Sequence, residues 1–195
     1  MELDRLEPFY RVHARIYDRT RRLFLLDRER ALALLDPLPG ETVIDFACGT
    51  GLNMPGLLAR QARVVGIDYS TSMLERARAR HPSVQFVQAD IASCRFGGVV
   101  DKAICTYSLS MVENWRDALL GMRAAVAPGG RLVILDFGRL SGPLGLLYPP
   151  FRWWLRRHGV DPEQPIEAFL SKHCERVAGQ ILRRGYSRLI AAQVP

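Results

Sequence analysis

Short apolar runs rich in β-branched residues alternate with helical patterns from residue 42 to residue 136. The predicted strands cover residues 42–47, 63–67, 84–88, 99–106 and 131–135, and the predicted helices between them cover residues 52–60, 73–80 and 115–126. Strictly alternating strands and helices form a parallel sheet with helices on both faces, because each crossover helix must pack against the sheet. The chain is therefore predicted to be a doubly wound, mostly parallel α/β protein.

Both ends of the chain depart from this alternation. Residues 2–36 carry apolar positions at helical spacing among many arginines, which predicts one or two amphipathic helices acting as a lid. After Gly138 the alternation fails, and only residues 174–182 and 187–194 have strand patterns, joined by a predicted hairpin at Arg184-Gly185. We expect one domain over residues 1–195: the lid at 1–38, the core at 40–136 and a substrate-side insert with closing strands at 137–195.

Composition narrows the class of protein without choosing a partner. With 48% hydrophobic and 24% charged residues among 195, the chain is predicted to fold as a globular domain rather than remain disordered. It has no apolar run of about 18 residues and no export-type amino terminus, so we expect neither a membrane span nor secretion. Four cysteines without a Cys-x-x-Cys pair indicate reduced thiols in the cytoplasm and no metal site.

The net charge of +7 favours an anionic partner, either nucleic acid or an acidic lipid surface. The basic residues are nearly all arginine, however, and such a bias also follows from genome composition alone. Charge by itself leaves both partners and this simpler explanation open.

Carboxylates and glycines stand where the predicted strands end. In open α/β sheets, ligands bind at this edge, where the strand order reverses. Gly49 and Gly51 let the backbone turn close to a ligand, but Met54 replaces the third glycine of a dinucleotide fingerprint. Asp45 is placed to meet the amino group of a bound amino acid, and Asp68 to accept hydrogen bonds from ribose hydroxyls. Together with Asp90, placed near an adenine, these residues suit S-adenosylmethionine better than a pyrophosphate.

The segments 43–51, 66–70 with Met73-Leu74, 88–90 and 128–130 resemble successive motifs of class I methyltransferases, over roughly residues 40 to 136. The resemblance implies the Rossmann-like fold of that family, S-adenosylmethionine as cofactor and S-adenosylhomocysteine as product. The residues it assigns to cofactor binding are Asp45, Ala47, Cys48, Gly49, Thr50, Gly51, Asn53, Asp68, Tyr69, Met73, Asp90, Ile91, Thr106 and Tyr107. The family more often has glycine at position 47, and the alanine is expected to be tolerated if its φ is negative.

A narrower resemblance covers residues 10–18, 51–53 and 106–111 with Trp115, which are similar to bacterial phospholipid N-methyltransferases and their betaine-lipid relatives. It implies methylation of an aminophospholipid head group, from phosphatidylethanolamine toward phosphatidylcholine. His13 or Tyr17 is then the expected proton acceptor, with water as an equal route. Tyr10, Tyr17 and Tyr107 are placed to stabilise the cationic head group. The predicted catalytic residues are Tyr17, His13 and Tyr107, and the predicted substrate-binding residues are Tyr10, His13, Tyr17 and Ser110.

Two segments are candidates for membrane contact. Arginines interleave with apolar residues over residues 5–23, and residues 146–157 combine tryptophan, tyrosine and arginine. Ordinary packing on the sheet is the alternative for both. We expect a peripheral protein on the cytoplasmic face of an anionic membrane, with its oligomeric state left open. A nucleic-acid substrate is disfavoured, because the Tyr-Pro-Pro-Phe segment at 148–151 follows the fifth strand, whereas base-clamping motifs follow the fourth.

Two other functions fit the same motifs. One is a soluble enzyme that methylates carbon or oxygen of a quinone or natural product. The other is a non-catalytic regulator that binds S-adenosylmethionine without turnover.

Overall fold

A computed structural model describes residues 25–96 and 99–195. Its helices are α1 (Arg28–Leu35), α2 (Met54–Ala59), α3 (Thr71–Arg80), α4 (Trp115–Ala125), α5 (Tyr148–Arg157) and α6 (Ile166–Leu170). Its strands are β1 (Thr42–Phe46), β2 (Arg63–Asp68), β3 (Gln85–Gln88), β4 (Val100–Thr106), β5 (Val126–Phe137), β6 (Glu175–Leu182) and β7 (Ser187–Gln193). Short 3-10 turns cover Leu109–Met111, Gly142–Leu147 and Arg183–Gly185.

The seven strands form one sheet in the order β3-β2-β1-β4-β5-β7-β6. Strands β1 to β5 run parallel, and β7 lies antiparallel between β5 and β6. The predicted doubly wound, mostly parallel sheet with a closing antiparallel hairpin is therefore confirmed. The strand order reverses between β1 and β4, so the crevice expected for a ligand lies above the ends of these two strands.

Helices cover the two faces of the sheet and enclose two apolar layers. The first layer receives Leu32 of α1, Leu57 of α2 and Leu74 of α3. The second receives Leu119 of α4 and Ile166 of α6. This arrangement explains why β1 and β4 are almost continuously buried, as strands covered on both faces must be apolar throughout.

Local signals in the sequence account for most of the element ends. The Ser70 hydroxyl accepts a hydrogen bond from the Met73 N–H at 3.3 Å, which makes Ser70 the N-cap of α3. The predicted turn at Pro128-Gly129-Gly130 is instead a bulge within β5, because pairing with β4 resumes at Lys102 and Arg131 after Val100 and Val126.

The segment between β5 and β6 differs from the sequence-based picture. It contains α5 and α6, which no periodic pattern predicted. The hairpin turn lies where it was predicted, and Gly185 has a φ of +90° there. A side-chain carbon at this position would lie 1.8 Å from the Arg139 carbonyl oxygen, so the turn requires glycine.

The described part of the N-terminal region packs on the sheet. Ala31, Leu32 and Leu35 of α1 are fully buried, and the Asp27 carboxylate before the helix accepts hydrogen bonds from Arg183 and Ser187, both at 2.9 Å. The predicted arginine-rich face at residues 5–23 lies outside the described residues. The division of the chain at residues 38 and 136 stays a prediction. Within the described ranges, no helix has the length and apolar character needed to cross a bilayer.

Candidate functional site: the crevice at the ends of β1 and β4

The loop after β1 turns by placing three residues in the left-handed region. Ala47, Gly49 and Gly51 have φ values of +53°, +57° and +80°. The prediction that Ala47 has a negative φ, which was the condition for tolerating its methyl group, is therefore wrong. An alanine in this conformation carries a strain of about 1 kcal/mol. At Gly49, an added side-chain carbon would meet nothing within 4 Å, so this part of the loop faces open space. The loop thus leaves room for a ligand to approach its backbone.

Asp68, at the end of β2, holds this loop in place. One carboxylate oxygen accepts the Gly49 N–H at 2.7 Å, and the other accepts the Ser70 N–H at 2.9 Å. Asp68 also lines the crevice, and a carboxylate oxygen can accept more than one hydrogen bond. Asp68 therefore both shapes the loop and presents oxygens to a ligand with hydroxyl groups.

A cavity of about 480 Å³ opens along this edge of the sheet. Many of the residues predicted for cofactor or substrate line it. They are Ala47, Gly49, Asp68, Tyr69, Met73, Asp90, Ile91, Tyr107 and Ser110. The motif ends that the sequence analysis singled out thus meet in one crevice, with carboxylates at Asp68 and Asp90 and an open glycine loop beside them.

Six other predicted cofactor residues lie beneath the crevice rather than along it. They are Asp45, Cys48, Thr50, Gly51, Asn53 and Thr106. Asp45 is fully buried, and the Asn53 amide donates to its two oxygens at 3.0 and 3.1 Å and to the Thr106 hydroxyl at 3.1 Å. Burial raises the pKa of Asp45 to about 7. The Asp45 oxygens accept hydrogen bonds from Asn53 in this structure, and the expected contact between Asp45 and a ligand's amino group stays a prediction.

Arg28 completes this buried group and was missed by the sequence analysis. Its guanidinium donates to the Asn53 side-chain oxygen at 2.8 Å and to the Thr106 hydroxyl, and lies 5.8 Å from the centre of the Tyr107 ring. Arg28 stands 78 positions before Thr106, and one arginine among many in this region carries no local signal of such a contact. The arrangement places a cation at the floor of the crevice, beside Asp45.

Tyr107 and Ser110 line the crevice and are held there by structural contacts, and the roles predicted for them stay predictions. The Tyr107 hydroxyl donates to the Leu26 carbonyl at 2.8 Å, its ring packs 4.9 Å from that of Phe137, and burial raises its pKa. The Ser110 backbone N–H and hydroxyl both donate to the buried carboxylate of Asp136, at 2.8 and 2.6 Å. Both residues therefore shape the crevice wall.

The far half of the cavity is formed by residues that sequence reasoning missed. Met111 and Val112 lie at the end of the 3-10 turn after β4, Trp115 begins α4, and Asp161 and Gln164 come from the loop after α5. That loop is held by a hydrogen bond from the Asp161 N–H to the Ser110 carbonyl at 2.8 Å. Glu113 and Asn114 also line the cavity, so this half combines apolar side chains at Met111, Val112 and Trp115 with polar ones.

Gln164 contributes a polar side chain to this half of the cavity that is buried and lacks one of its hydrogen bonds. It is 6% exposed, and its Oε1 lacks a hydrogen-bond partner within the described structure. A buried amide oxygen without a partner costs about 1–3 kcal/mol. Gln164 lines the cavity, so an O–H or N–H of a ligand there could donate to its Oε1.

Three of the predicted site residues lie outside the part of the chain that the structure describes. Tyr10, His13 and Tyr17 lie outside residues 25–96 and 99–195, so their predicted catalytic and substrate-binding roles stay predictions. In those same ranges, no group of three or more His, Cys, Asp or Glu side chains is arranged to hold a metal ion.

Residues 43–130 match the family model described as a methyltransferase domain. The match runs from β1 through the glycine loop and the carboxylates of β2 and β3 to the bulge in β5. With this fold and this crevice, the chain carries a class I methyltransferase domain, and its cofactor is S-adenosylmethionine.

Two curated relatives are similar over part of their length. The demethylmenaquinone methyltransferase of Beutenbergia cavernae is 35% identical over 130 residues, covering 64% of this chain and 54% of the relative. The 2-phytyl-1,4-naphtoquinone methyltransferase of Thermosynechococcus vestitus is 34% identical over 143 residues, covering 69% of this chain and 62% of the relative. The chain thus spans between half and two thirds of the length of these relatives.

Among solved structures, the Haemonchus contortus phosphoethanolamine N-methyltransferase 2, in complex with phosphomonomethylethanolamine and S-adenosylhomocysteine, superposes with a TM-score of 0.74. The two are 15% identical, and the superposition covers 87% of this chain and 52% of that one. Similarity at this identity shows the shared fold alone.

Proposed function

We propose that this chain is an enzyme that transfers the methyl group of S-adenosylmethionine to a carbon of a quinone-type ring in its reduced form. The observation that carries this proposal is the apolar surface of Met111, Val112 and Trp115, which lines the same crevice as Gly49 of the glycine loop and the buried amide of Gln164. The two quinone-type relatives support the same substrate class.

The crevice suits a flat aromatic substrate. Met111, Val112 and Trp115 provide an apolar surface of the kind that buries a ring, and Gln164 provides an amide at the far end. Ligand sites commonly combine an apolar lining with a few polar groups that fix orientation. A ring oxygen bonded to Gln164 would set the face and position at which the ring meets the cofactor.

The chain's own contribution to catalysis is positioning. When bound, S-adenosylmethionine supplies an electrophilic methyl group, and the ring carbon that accepts it must release a proton. Holding two reactants in line accounts for several kcal/mol of rate enhancement without a covalent intermediate. The described residues fit this role, since the Asp68 carboxylate orients the loop and the walls at Tyr107 and Ser110 are fixed by buried hydrogen bonds.

The remaining acceptor for the ring proton is a carboxylate or water. Asp161 lines the crevice together with Gln164. Its side chain also contacts Arg156 at 3.7 Å. We assign Asp161 this role within the proposal.

The test is a competition among acceptors. Purified chain with radiolabelled S-adenosylmethionine is offered a chemically reduced, short-chain naphthoquinone lacking the ring methyl group, phosphatidylethanolamine vesicles, and free phosphoethanolamine. We expect label in the naphthoquinone only, on carbon, as mass spectrometry of the product shows. Label in lipid or in phosphoethanolamine, with none in the quinone, refutes the proposal.

Methylation of an aminophospholipid is the second candidate, supported by the resemblance at residues 10–18 and by the fold shared with a phosphoethanolamine N-methyltransferase. Its support is weaker, because the two curated relatives are quinone-type methyltransferases and the solved structure is only 15% identical. A regulator without turnover is the third, and the same assay identifies it by cofactor binding with no labelled product.

A further inference from the structure

The segment that follows β5 presents an apolar surface to solvent. Leu146 and Leu147 of the 3-10 turn are 89% and 56% exposed, and Trp153 and Trp154 of α5 are 65% and 45% exposed. We call these four residues the aromatic patch. Single exposed apolar residues are normal in folded proteins, but a contiguous group with two tryptophans indicates a surface used for interaction.

The patch is held rigidly on the body of the protein. Tyr148 and Leu155, on the inner side of α5, are buried, and the Phe151 ring lies 5.7 Å from the Tyr186 ring at the hairpin. The Tyr148 hydroxyl also donates to Glu163 at 3.0 Å. The outward position of the tryptophans is therefore set by tertiary packing rather than by a loose loop.

The charged residues between positions 142 and 157 are all arginines. Arg152 and Arg156 contact Glu163 at 2.8 and 3.5 Å, and the Arg157 guanidinium lies 5.9 Å from the Trp153 ring centre. Tryptophan prefers the head-group zone of a bilayer, where its ring is apolar and its N–H is solvated, and arginine beside it pairs with lipid phosphate. The chemistry of the patch thus matches an anionic lipid surface.

We infer that the aromatic patch docks the chain on an anionic membrane and brings the crevice to the lipid surface. Helix α5 ends at Arg157, and Gly159 and Asp161, two and four residues later, line the crevice. A substrate dissolved in the bilayer would then reach the crevice without crossing water. This inference rests on the proposed function for the nature of the substrate, but binding to lipid does not depend on turnover.

A second copy of the chain is a less suitable occupant. With about 150–250 Å² for each aromatic side chain, the exposed part of the patch amounts to roughly 500 Å². A stable interface between proteins buries about 800 Å² on each partner. The patch is therefore small for a dimer but sufficient for side chains that insert into a head-group layer.

The test compares matched variants of the full chain in vesicle flotation. We expect wild type to float with vesicles of phosphatidylcholine and phosphatidylglycerol, and the double variant Leu146→Ser/Trp153→Ser to bind about tenfold more weakly. The control is Ile181→Ser, which removes an equally exposed apolar side chain, 66% exposed, from edge strand β6. It should float like wild type. S-adenosylhomocysteine affinity is expected to be equal in all three proteins, which verifies folding.

Fluorescence gives a second readout, because Trp115 is 6% exposed and only the other two tryptophans of the chain face outward. Brominated lipid should quench the tryptophan fluorescence of wild type and leave that of Trp153→Phe/Trp154→Phe unquenched.

The inference is overturned if wild type does not float, or if flotation survives in Leu146→Ser/Trp153→Ser. It is also overturned if only Arg15→Glu/Arg22→Glu abolishes flotation, or if the patch variant abolishes self-association seen by ultracentrifugation without lipid.

Turnover separates this inference from the proposed function. If docking is right, the patch variant keeps its activity on a water-soluble naphthoquinone and loses it on a lipid-embedded one. If wild type floats but methylates no quinone, the proposed function fails while the docking surface stands.

Discussion

Replacing Asp68 tests the crevice most directly, because one carboxylate both holds the glycine loop and faces the ligand. In Asp68→Ala, the Gly49 and Ser70 N–H groups lose acceptors at 2.7 and 2.9 Å, and the ribose hydroxyls of a bound cofactor lose theirs. A hydrogen bond to a charged group contributes about 1.5–3 kcal/mol. Losing two such bonds to the ribose should cost at least about 3 kcal/mol of binding, or more than about 100-fold in Kd.

Calorimetry with S-adenosylhomocysteine measures this loss. Asp68→Asn keeps one acceptor oxygen in a side chain of the same shape, so we expect an intermediate loss of about tenfold. Both variants should also unfold at lower temperature than wild type, because at least one backbone N–H loses its partner in each.

Asp101 provides a matched control for the effect on stability. Its carboxylate accepts the Thr42 N–H at 2.7 Å, at the start of β1 and therefore at the opposite edge of the sheet from the crevice. Asp101→Ala should lower the melting temperature and leave the cofactor Kd unchanged. If Asp68→Ala lowers stability in the same way but binds the cofactor within threefold of wild type, the assignment of Asp68 to the ribose is refuted.

Three further substitutions test other parts of the site. The pKa of Asp45 is raised from 3.8 to about 7, so between these pH values the folded state holds a proton that the unfolded state has lost, and stability falls as pH rises through this window. Urea titrations at pH 4 and pH 7 measure this decline, and Asp45→Asn should remove up to about 4 kcal/mol of it. If the unfolding free energies of wild type and Asp45→Asn change equally between the two pH values, the burial argument is contradicted. Ala47→Gly should raise the unfolding free energy by about 0.5–1 kcal/mol by relieving a φ of +53°, whereas destabilisation would show that the left-handed loop is wrong. Gln164→Leu should leave folding and cofactor affinity unchanged and raise the KM for the naphthoquinone about tenfold, and an unchanged KM would remove Gln164 from the substrate site.

The substrate class expected from the sequence differs from the one that the relatives favour. The resemblance at residues 10–18 directed the sequence analysis to an aminophospholipid, and that segment lies outside the described residues. The two curated relatives favour the quinone alternative, and the far half of the crevice agrees, with Met111, Val112 and Trp115 suited to a ring. Substrate choice in this fold depends on loops between strands, which vary most and have the weakest periodic signal.

The sequence by itself determined the succession of strands and helices along the chain, the glycine loop, and the carboxylates at the ends of β2 and β3. Burial on both faces of a sheet produces continuous apolar runs, and a strand-to-helix turn needs glycine, so these features leave local marks that can be read along the chain. The closing hairpin was also predictable, because Arg184-Gly185 separates two strand patterns.

Only the tertiary structure decided which of these residues face the ligand. Asp45 accepts hydrogen bonds from Asn53 and lies in a buried group with Arg28, whose contact with Thr106 spans 78 positions. Gln164 reaches the crevice on the loop between α5 and α6, which the Asp161 N–H ties to the Ser110 carbonyl, and no periodic pattern marked those helices. Periodicity reports whether a residue is buried, but the direction of a buried side chain depends on partners that are distant in sequence and meet only when the sheet is complete.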